Sequence, residues 1–241
     1  MKKSDAKEII KILKETYPEA TCSLDFKNPF EMAIAVMLSA QCTDERVNKV
    51  TPKLFKKYPD PYKMSKAPIK DIEKLIYSCG FYKSKSKHIK ECSQMLVDKY
   101  EGQVPNTMGE LQSLPGIGRK SANVIMLEAF HDPQGIAVDT HVKRISNRIG
   151  LSKESDPEKI EKDLLHKIPK EYYYDANHLG VWHGRYTCNS RKPKCSECTI
   201  KQYCNYYEKS TSLGKEGNGW ELVNCGYTVS ICSLIVLILS R

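Results

Sequence analysis

The sequence predicts an all-α fold. Apolar residues recur at the three-to-four-residue spacing of amphipathic helices, and residues that start and stop helices punctuate those runs. No stretch shows the sustained apolar/polar alternation of a half-buried strand, and no short-period repeat is present. At 241 residues the chain can bury a substantial core, in one large domain or two smaller ones.

In chain order, Ile9, Ile10, Ile12 and Leu13 mark a first helix over residues 6–16, stopped by Tyr17-Pro18. Asn28-Pro29 opens a second. Its residues Phe30, Met32, Ile34, Ala35, Val36, Met37 and Leu38 are apolar nearly all round, the signature of a helix buried on every side. The polar stretch from Ser39 through Gln41 to Asp44 breaks it before a helix through Val47 and Leu54. A short helix is expected over 71–77, a loop over Cys79-Gly80-Phe81-Tyr82, and a longer helix over 83–100 with an apolar stripe of Ile89, Met95, Leu96 and Val97. Further helices are expected from about Arg119, from Thr140, over 158–168 and over 172–183.

Lys and Arg exceed Asp and Glu by nine, which suits an anionic partner without requiring one. Residues 1–15 are charged and helix-patterned, so no signal peptide is expected. Ten cysteines in such a chain point to metal or redox chemistry before structural disulfides.

The sharpest local pattern is Leu114-Pro115-Gly116-Ile117-Gly118, a turn that runs into a helix. Pro115 fixes one φ angle, and Gly116 and Gly118 are expected to permit turns that a side chain would forbid. Amides of such a turn, beside the positive end of the helix dipole, form a ready anion site, and a nucleic-acid phosphate is a natural guest. Lys120 falls in the first helical turn, where the dipole disfavours a cation and so favours the free amine a nucleophile needs. Asp139 precedes Thr140 and is placed to cap the next helix. On spacing alone, Lys120 as a phosphate contact and Asp139 as a plain cap remain the simpler readings.

Cys188, Cys195, Cys198 and Cys204 form a C-x6-C-x2-C-x5-C pattern. Four thiolates this close can hold one tetrahedral zinc or anchor an iron–sulfur cluster. Only Cys195 and Cys198 form a close pair, whereas zinc more often takes two, so the pattern favours a cluster. Cys22, Cys42, Cys79 and Cys92 are scattered without ligand spacing and are expected to be buried or partly buried small residues.

With these motifs in hand, the chain resembles the endonuclease III family of helix–hairpin–helix DNA glycosylases and abasic-site lyases. The likeness rests on LPGIGRKSANV, VDTH and HGRYTC with the four cysteines, together with NPFEMAIAVMLSAQCTD and GFYKSKSKHI, in unbroken order over residues 4–207. The resemblance implies two helical domains flanking a DNA cleft. One is a helical barrel at 22–132, with the hairpin motif at about 111–130. The other combines 1–21 with 133–208 and carries the cluster. By motif position it implies Lys120 as nucleophile, Asp139 as catalytic carboxylate, and Gly116, Gly118 and Arg119 as DNA contacts. Gln41 would fill the space left by a flipped nucleotide, and Phe81 stands where the family uses an apolar wedge. Simpler roles are a helix cap for Gln41 and core cover for Phe81. The implied cofactor is a 4Fe–4S cluster on Cys188, Cys195, Cys198 and Cys204. The implied partner is double-stranded DNA with damaged bases or abasic sites, bound by a monomer in the cytoplasm at the nucleoid. The implied reaction is removal of oxidised pyrimidines followed by β-elimination. Alternatives are a monofunctional mismatch or adenine-type glycosylase, against which Lys120 argues, and a non-catalytic, redox-sensing iron–sulfur DNA-binding protein, against which Lys120 and Asp139 together argue.

Residues 209–241 depart from the family. A polar, glycine-bearing linker is expected at 209–219, followed by an apolar tail over 220–239 interrupted by Glu221 and Asn224. Its uncharged part, 227–239, is shorter than the ~20 residues that span a bilayer, so a membrane contact through the tail is not favoured.

Overall fold

A computed structural model describes residues 3–216, and all regular structure among them is helical. Twelve α-helices follow one another: α1 (Lys3–Thr16), α2 (Pro29–Ser39), α3 (Asp44–Lys57), α4 (Pro61–Lys66), α5 (Ile69–Leu75), α6 (Tyr82–Tyr100), α7 (Met108–Ser113), α8 (Arg119–Ala129), α9 (Thr140–Ile149), α10 (Pro157–Lys167), α11 (Tyr173–Tyr186) and α12 (Asn205–Glu216). Three of them, α4, α7 and α12, are absent from the pattern reading; α4 and α7 share one reason. Each has six residues, too short for a periodic stripe, and each is announced instead by its cap. Asp60 accepts from the Lys63 amide at 2.8 Å and Thr107 from the Glu110 amide at 3.4 Å.

The caps also fix the longer helices. Asn28 Oδ1 accepts from the Glu31 amide at 2.9 Å, with Pro29 in the first helical position, where its missing N–H costs nothing. Asp156 and Pro157 repeat this arrangement at α10.

Two hydrophobic cores organise the helices. The first is built around α2, whose residues from Phe30 to Leu38 are all buried, as its uniformly apolar composition requires. Against it pack α3 through α8, including Leu54, Met64, Ile89, Leu111 and Ile125. Truncating one such aliphatic side chain to alanine costs about 2–5 kcal/mol. The second core joins Ala6, Ile9, Ile10 and Leu13 of α1 to Val142 and Ile145 of α9, Leu164 of α10 and Leu179 of α11. The amino-terminal helix therefore closes a core otherwise made of residues 136–200.

Residues 209–216, expected to begin a linker, instead belong to α12, a helix the sequence reading did not expect. The rest of the linker and the apolar tail, with Cys225 and Cys232, lie outside the described residues. No helix among the described residues is long and apolar enough to cross a membrane.

Candidate DNA-repair site

An open cleft of about 760 Å³ is bordered by α2, α3 and α8 from the first core and by α9 and α11 from the second. Lys120, Asp139 and Gln41 all line it. Sequence separation hides this convergence, because each residue sits at a helix end belonging to a different element.

Lys120 is exposed in the first turn of α8. The N-cap of that helix is Gly118, which has no side chain to close the first amides, so they stay open to an anion. Gly116 adopts φ +81°, and a Cβ there would lie 2.9 Å from both His88 Cβ and Met37 Sδ. Glycine is required at 116 by conformation and by packing. Gly118 is different. Its φ is −90° with extended ψ, and a Cβ would meet nothing within 4 Å. The expectation of a forbidden turn at 118 is therefore corrected: any residue could adopt this backbone, and glycine there only keeps the surface of the hairpin bare.

Asp139 is half-buried and caps α9, its Oδ1 accepting from the amides of His141 and Val142 at 2.8 Å each. Capping uses one oxygen and leaves the other able to face the cleft. His141 Nδ1 is engaged with Arg144 Nη2 at 3.2 Å. Arg119 is tied by its Nε to Glu161 Oε2 of α10 at 2.6 Å, and Asn123 Nδ2 donates to the other oxygen of the same carboxylate at 2.8 Å. This buried carboxylate fastens the hairpin helix to the second core, and the sequence reading missed it. Nothing local marks Glu161 as more than one charge on an amphipathic helix.

Gln41 and Phe81 share an unusual backbone. Both are non-glycine residues in the left-handed region, with φ +53° and +56°. Such conformations cost of order 1 kcal/mol or more and tend to cluster at functional sites. Both side chains are exposed, Phe81 by 66%. Phe81 therefore does not cover the core, and the cap of α2 is Ala40 rather than Gln41. The two loops touch: a Cβ on Gly80 would lie 3.4 Å from the Gln41 carbonyl oxygen. Across the cleft, Arg185 Nη2 donates to Asp44 Oδ2 at 2.9 Å, and Ser23 Oγ donates to the same oxygen at 2.7 Å. Deeper in, His178 Nε2 lies 3.1 Å from Glu128 Oε1, an ion-pair distance without hydrogen-bond alignment.

Cys188, Cys195, Cys198 and Cys204 border one separate hollow with Arg148 and His183. Arg148 Nη1 donates to Cys188 Sγ at 3.3 Å. His183 is buried, held by Tyr17 Oη at 3.1 Å, and burial pushes its imidazole down to about 4, so it is neutral at physiological pH. Among the described residues, no three His, Cys, Asp or Glu side chains close to the spacing of a single metal ion.

An open hairpin amide cluster, a lysine and a carboxylate on one cleft, and two exposed strained loops define a helix–hairpin–helix DNA-repair protein. Residues 34–170 match the HhH-GPD superfamily of base excision DNA repair proteins. The chain is 48% identical over 203 residues to endonuclease III of Synechocystis, covering 84% of this chain and 93% of that one. It is 41% identical over 209 residues to endonuclease III of Escherichia coli K12, covering 87% and 99%. A trapped covalent endonuclease III–DNA intermediate superposes with a TM-score of 0.83 at 41% identity, over 88% of this chain and 99% of that one. The chain belongs to the endonuclease III family.

Proposed function

We propose that the chain excises ring-damaged pyrimidines from duplex DNA and then cuts the strand at the abasic site, with Lys120 as nucleophile and Asp139 as its carboxylate partner. The observation that carries this reading is the placement of both groups, from two different helix starts, on one cleft wide enough for an extruded nucleoside. Hairpin amides at Gly116 and Gly118 hold a phosphate, and Gln41 and Phe81 support the stack once the nucleotide has left it. The Lys120 amine then attacks C1′ and the base departs with the bonding pair, taking up a proton. Asp139 offsets positive charge developing on the sugar and accepts a proton from the attacking nitrogen. The nitrogen lone pair then opens the C1′–O4′ bond, O4′ taking up a proton, which gives the Schiff base; loss of the C2′ proton sends its electrons toward the iminium nitrogen, and they return to expel the 3′ phosphate with its bonding pair.

Cys188, Cys195, Cys198 and Cys204 are the residues that would hold a 4Fe–4S cluster. The donor set of four thiols around a shared hollow, beside Arg148, suits an anionic cluster. When bound, the cluster would cross-link the loop over 188–204, which presents Arg191, Lys192 and Lys194 as exposed cations for a phosphate backbone.

Borohydride reduction on duplex DNA bearing one oxidised pyrimidine tests the reading. The wild type is expected to give a covalent protein–DNA band and Lys120→Ala none. Because Lys120 is exposed, that variant is expected to keep its stability to within about 0.5 kcal/mol. A wild type that excises base without trapping would establish the monofunctional alternative. Binding with neither trapping nor excision, on oxidised and plain abasic sites alike, would refute the enzymatic reading.

A further inference from the structure

Among the described residues, three buried polar side chains line the cleft: Glu128, Asn177 and His178. Asn177 is spent on the backbone. Its Oδ1 accepts from the Ala137 amide at 2.7 Å, and its Nδ2 donates to the Tyr173 carbonyl at 2.7 Å. Glu128 and His178 are held differently. Each side chain is only 8% exposed and the two face each other at 3.1 Å, yet the contact is not aligned as a hydrogen bond and His178 Nε2 has no partner. A structural pair would satisfy both members, because a buried polar group left without a partner is rare and costly. One left so on the wall of a cleft suits a partner that arrives from outside. The Tyr174 ring, edge-on with its centroid 4.7 Å away, steadies the imidazole.

We propose that Glu128 and His178 form the base-reading pair of this cleft, anchoring the hydrogen-bonding edge of the extruded pyrimidine.

This rests on the reading that Lys120 attacks C1′, which fixes where the sugar lies. Lys120, Val124, Leu127 and Glu128 all line the cleft, so one face of α8 carries the lysine at its start and the carboxylate just over two turns further on. Eight residues span about 12 Å of helix axis. A nucleoside held at C1′ by Lys120 therefore lays its base along Val124 and Leu127, with its far edge toward Glu128. Val36, Ala137 and Val181 also line the cleft, so the polar pair stands in an apolar surround that leaves the base few other groups to bond.

A carboxylate accepts, and an imidazole with its proton on Nε2 donates, so the pair sets an acceptor beside a donor. A pyrimidine edge is the complement. In uracil- and thymine-derived bases N3–H donates to the carboxylate and a neighbouring carbonyl oxygen accepts from the imidazole. In cytosine-derived bases the exocyclic amine and N3 take those two places. Glu128 has the more mobile side chain, and turning its carboxylate to the base uncovers Nε2 for the adjacent acceptor. Saturation of the C5–C6 bond leaves this edge intact, so the pair recognises the pyrimidine while the lost stacking eases its extrusion.

The test uses the full-length, cluster-loaded protein on two duplexes, one carrying a ring-saturated uracil and the other a plain abasic site, which has no base to read. Single-turnover base release from the first is divided by single-turnover strand cleavage of the second, a ratio that cancels the fraction of folded enzyme. Glu128→Leu removes the acceptor at similar size, and His178→Phe keeps a ring but removes the donor. In each the ratio is expected to fall about tenfold or more, the scale of a hydrogen bond lost to a buried group. Glu128→Gln, which keeps an acceptor oxygen, should fall less than Glu128→Leu. Ratios within about twofold of wild type in both Glu128→Leu and His178→Phe would overturn the pair as the base reader. A wild type that cleaves the abasic duplex while those ratios stay unmoved refutes the pair alone, whereas a wild type inactive on the abasic duplex refutes the Lys120 reading and this proposal with it.

Discussion

Removing the carboxylate of Glu161 should loosen the attachment of the hairpin helix to the second core. Glu161 has a side chain only 5% exposed and receives Arg119 Nε at 2.6 Å and Asn123 Nδ2 at 2.8 Å. The two bonds are not equal in cost. Arg119 is 41% exposed, so water replaces its lost partner, and that share is about 0.5–1 kcal/mol. Asn123 is 2% exposed and its Oδ1 already has no partner, so stranding its amide costs about 1–3 kcal/mol. Relief of the buried charge offsets part of this. Glu161→Ala is therefore expected to lose about 2–3 kcal/mol in urea unfolding, with the melting temperature falling by about 2–4 °C for each kcal/mol. Gly135 offers an internal control, because a Cβ there would lie 2.2 Å from Glu161 Oε1 and 2.6 Å from Asn123 Oδ1. Gly135→Ala should be destabilising by about 1–3 kcal/mol in the wild type and by clearly less with Glu161→Ala, since the nearest obstacle is gone. If Glu161→Ala unfolds within about 0.5 kcal/mol of wild type, the carboxylate does not hold the hairpin and this account of the interface fails.

Three further outcomes follow from the same geometry. Asp139→Asn keeps a good cap for α9 and removes the charge, so it should stay within about 0.5 kcal/mol of wild-type stability while base excision falls about a hundredfold or more; Asp139→Ala should lose a further ~1 kcal/mol of stability. Equal stability of the two variants in unfolding titrations would remove the capping role. In the hairpin, Gly116→Ala should destabilise by about 1–3 kcal/mol, while Gly118→Ala should fold like wild type and lose affinity for duplex DNA by binding titration, the added methyl standing where a phosphate approaches. The Lys57 ammonium 2.5 Å away, together with the Tyr58 hydroxyl, holds the Asp71 carboxyl below its ordinary value of 3.8. A depressed carboxyl contributes stability that is present above its ordinary value and lost as pH falls through its folded one. Asp71→Asn should therefore flatten the stability–pH curve below about pH 4 and leave its slope near neutrality unchanged; an unaltered acid limb would show the pair to be without effect.

Helix existence, order and most boundaries were legible from the chain because they depend on short-range terms. The uniformly apolar run from Phe30 to Leu38 announced a helix buried on all sides, and it is one. Caps at Asn28 and Asp139 were readable because a side-chain oxygen reaches only two or three residues ahead. Where the reading failed, the reason is equally local. In α4 and α7 the elements are too short for periodicity to register. At Gly118 residue identity suggested a conformation that the backbone does not adopt. Residues 209–216 were read by composition as a linker, but they lie in α12, which was not expected at all.

Sequence alone also singled out the residues proposed to carry the chemistry, since Lys120, Asp139 and the four close cysteines sit in short, specific patterns whose order carries the family likeness. Their meeting on a common surface was decided by tertiary structure. Lys120, Asp139 and Gln41 share a cleft because α2, α8 and α9 end beside one another, a result of how two cores pack. The Glu161 clasp and the Asp44–Arg185 pair across the cleft join residues 38 to 141 positions apart. No local term in the chain distinguishes those side chains from their exposed or isolated counterparts. Only burial and proximity, which the folded chain supplies, give a carboxylate its two donors.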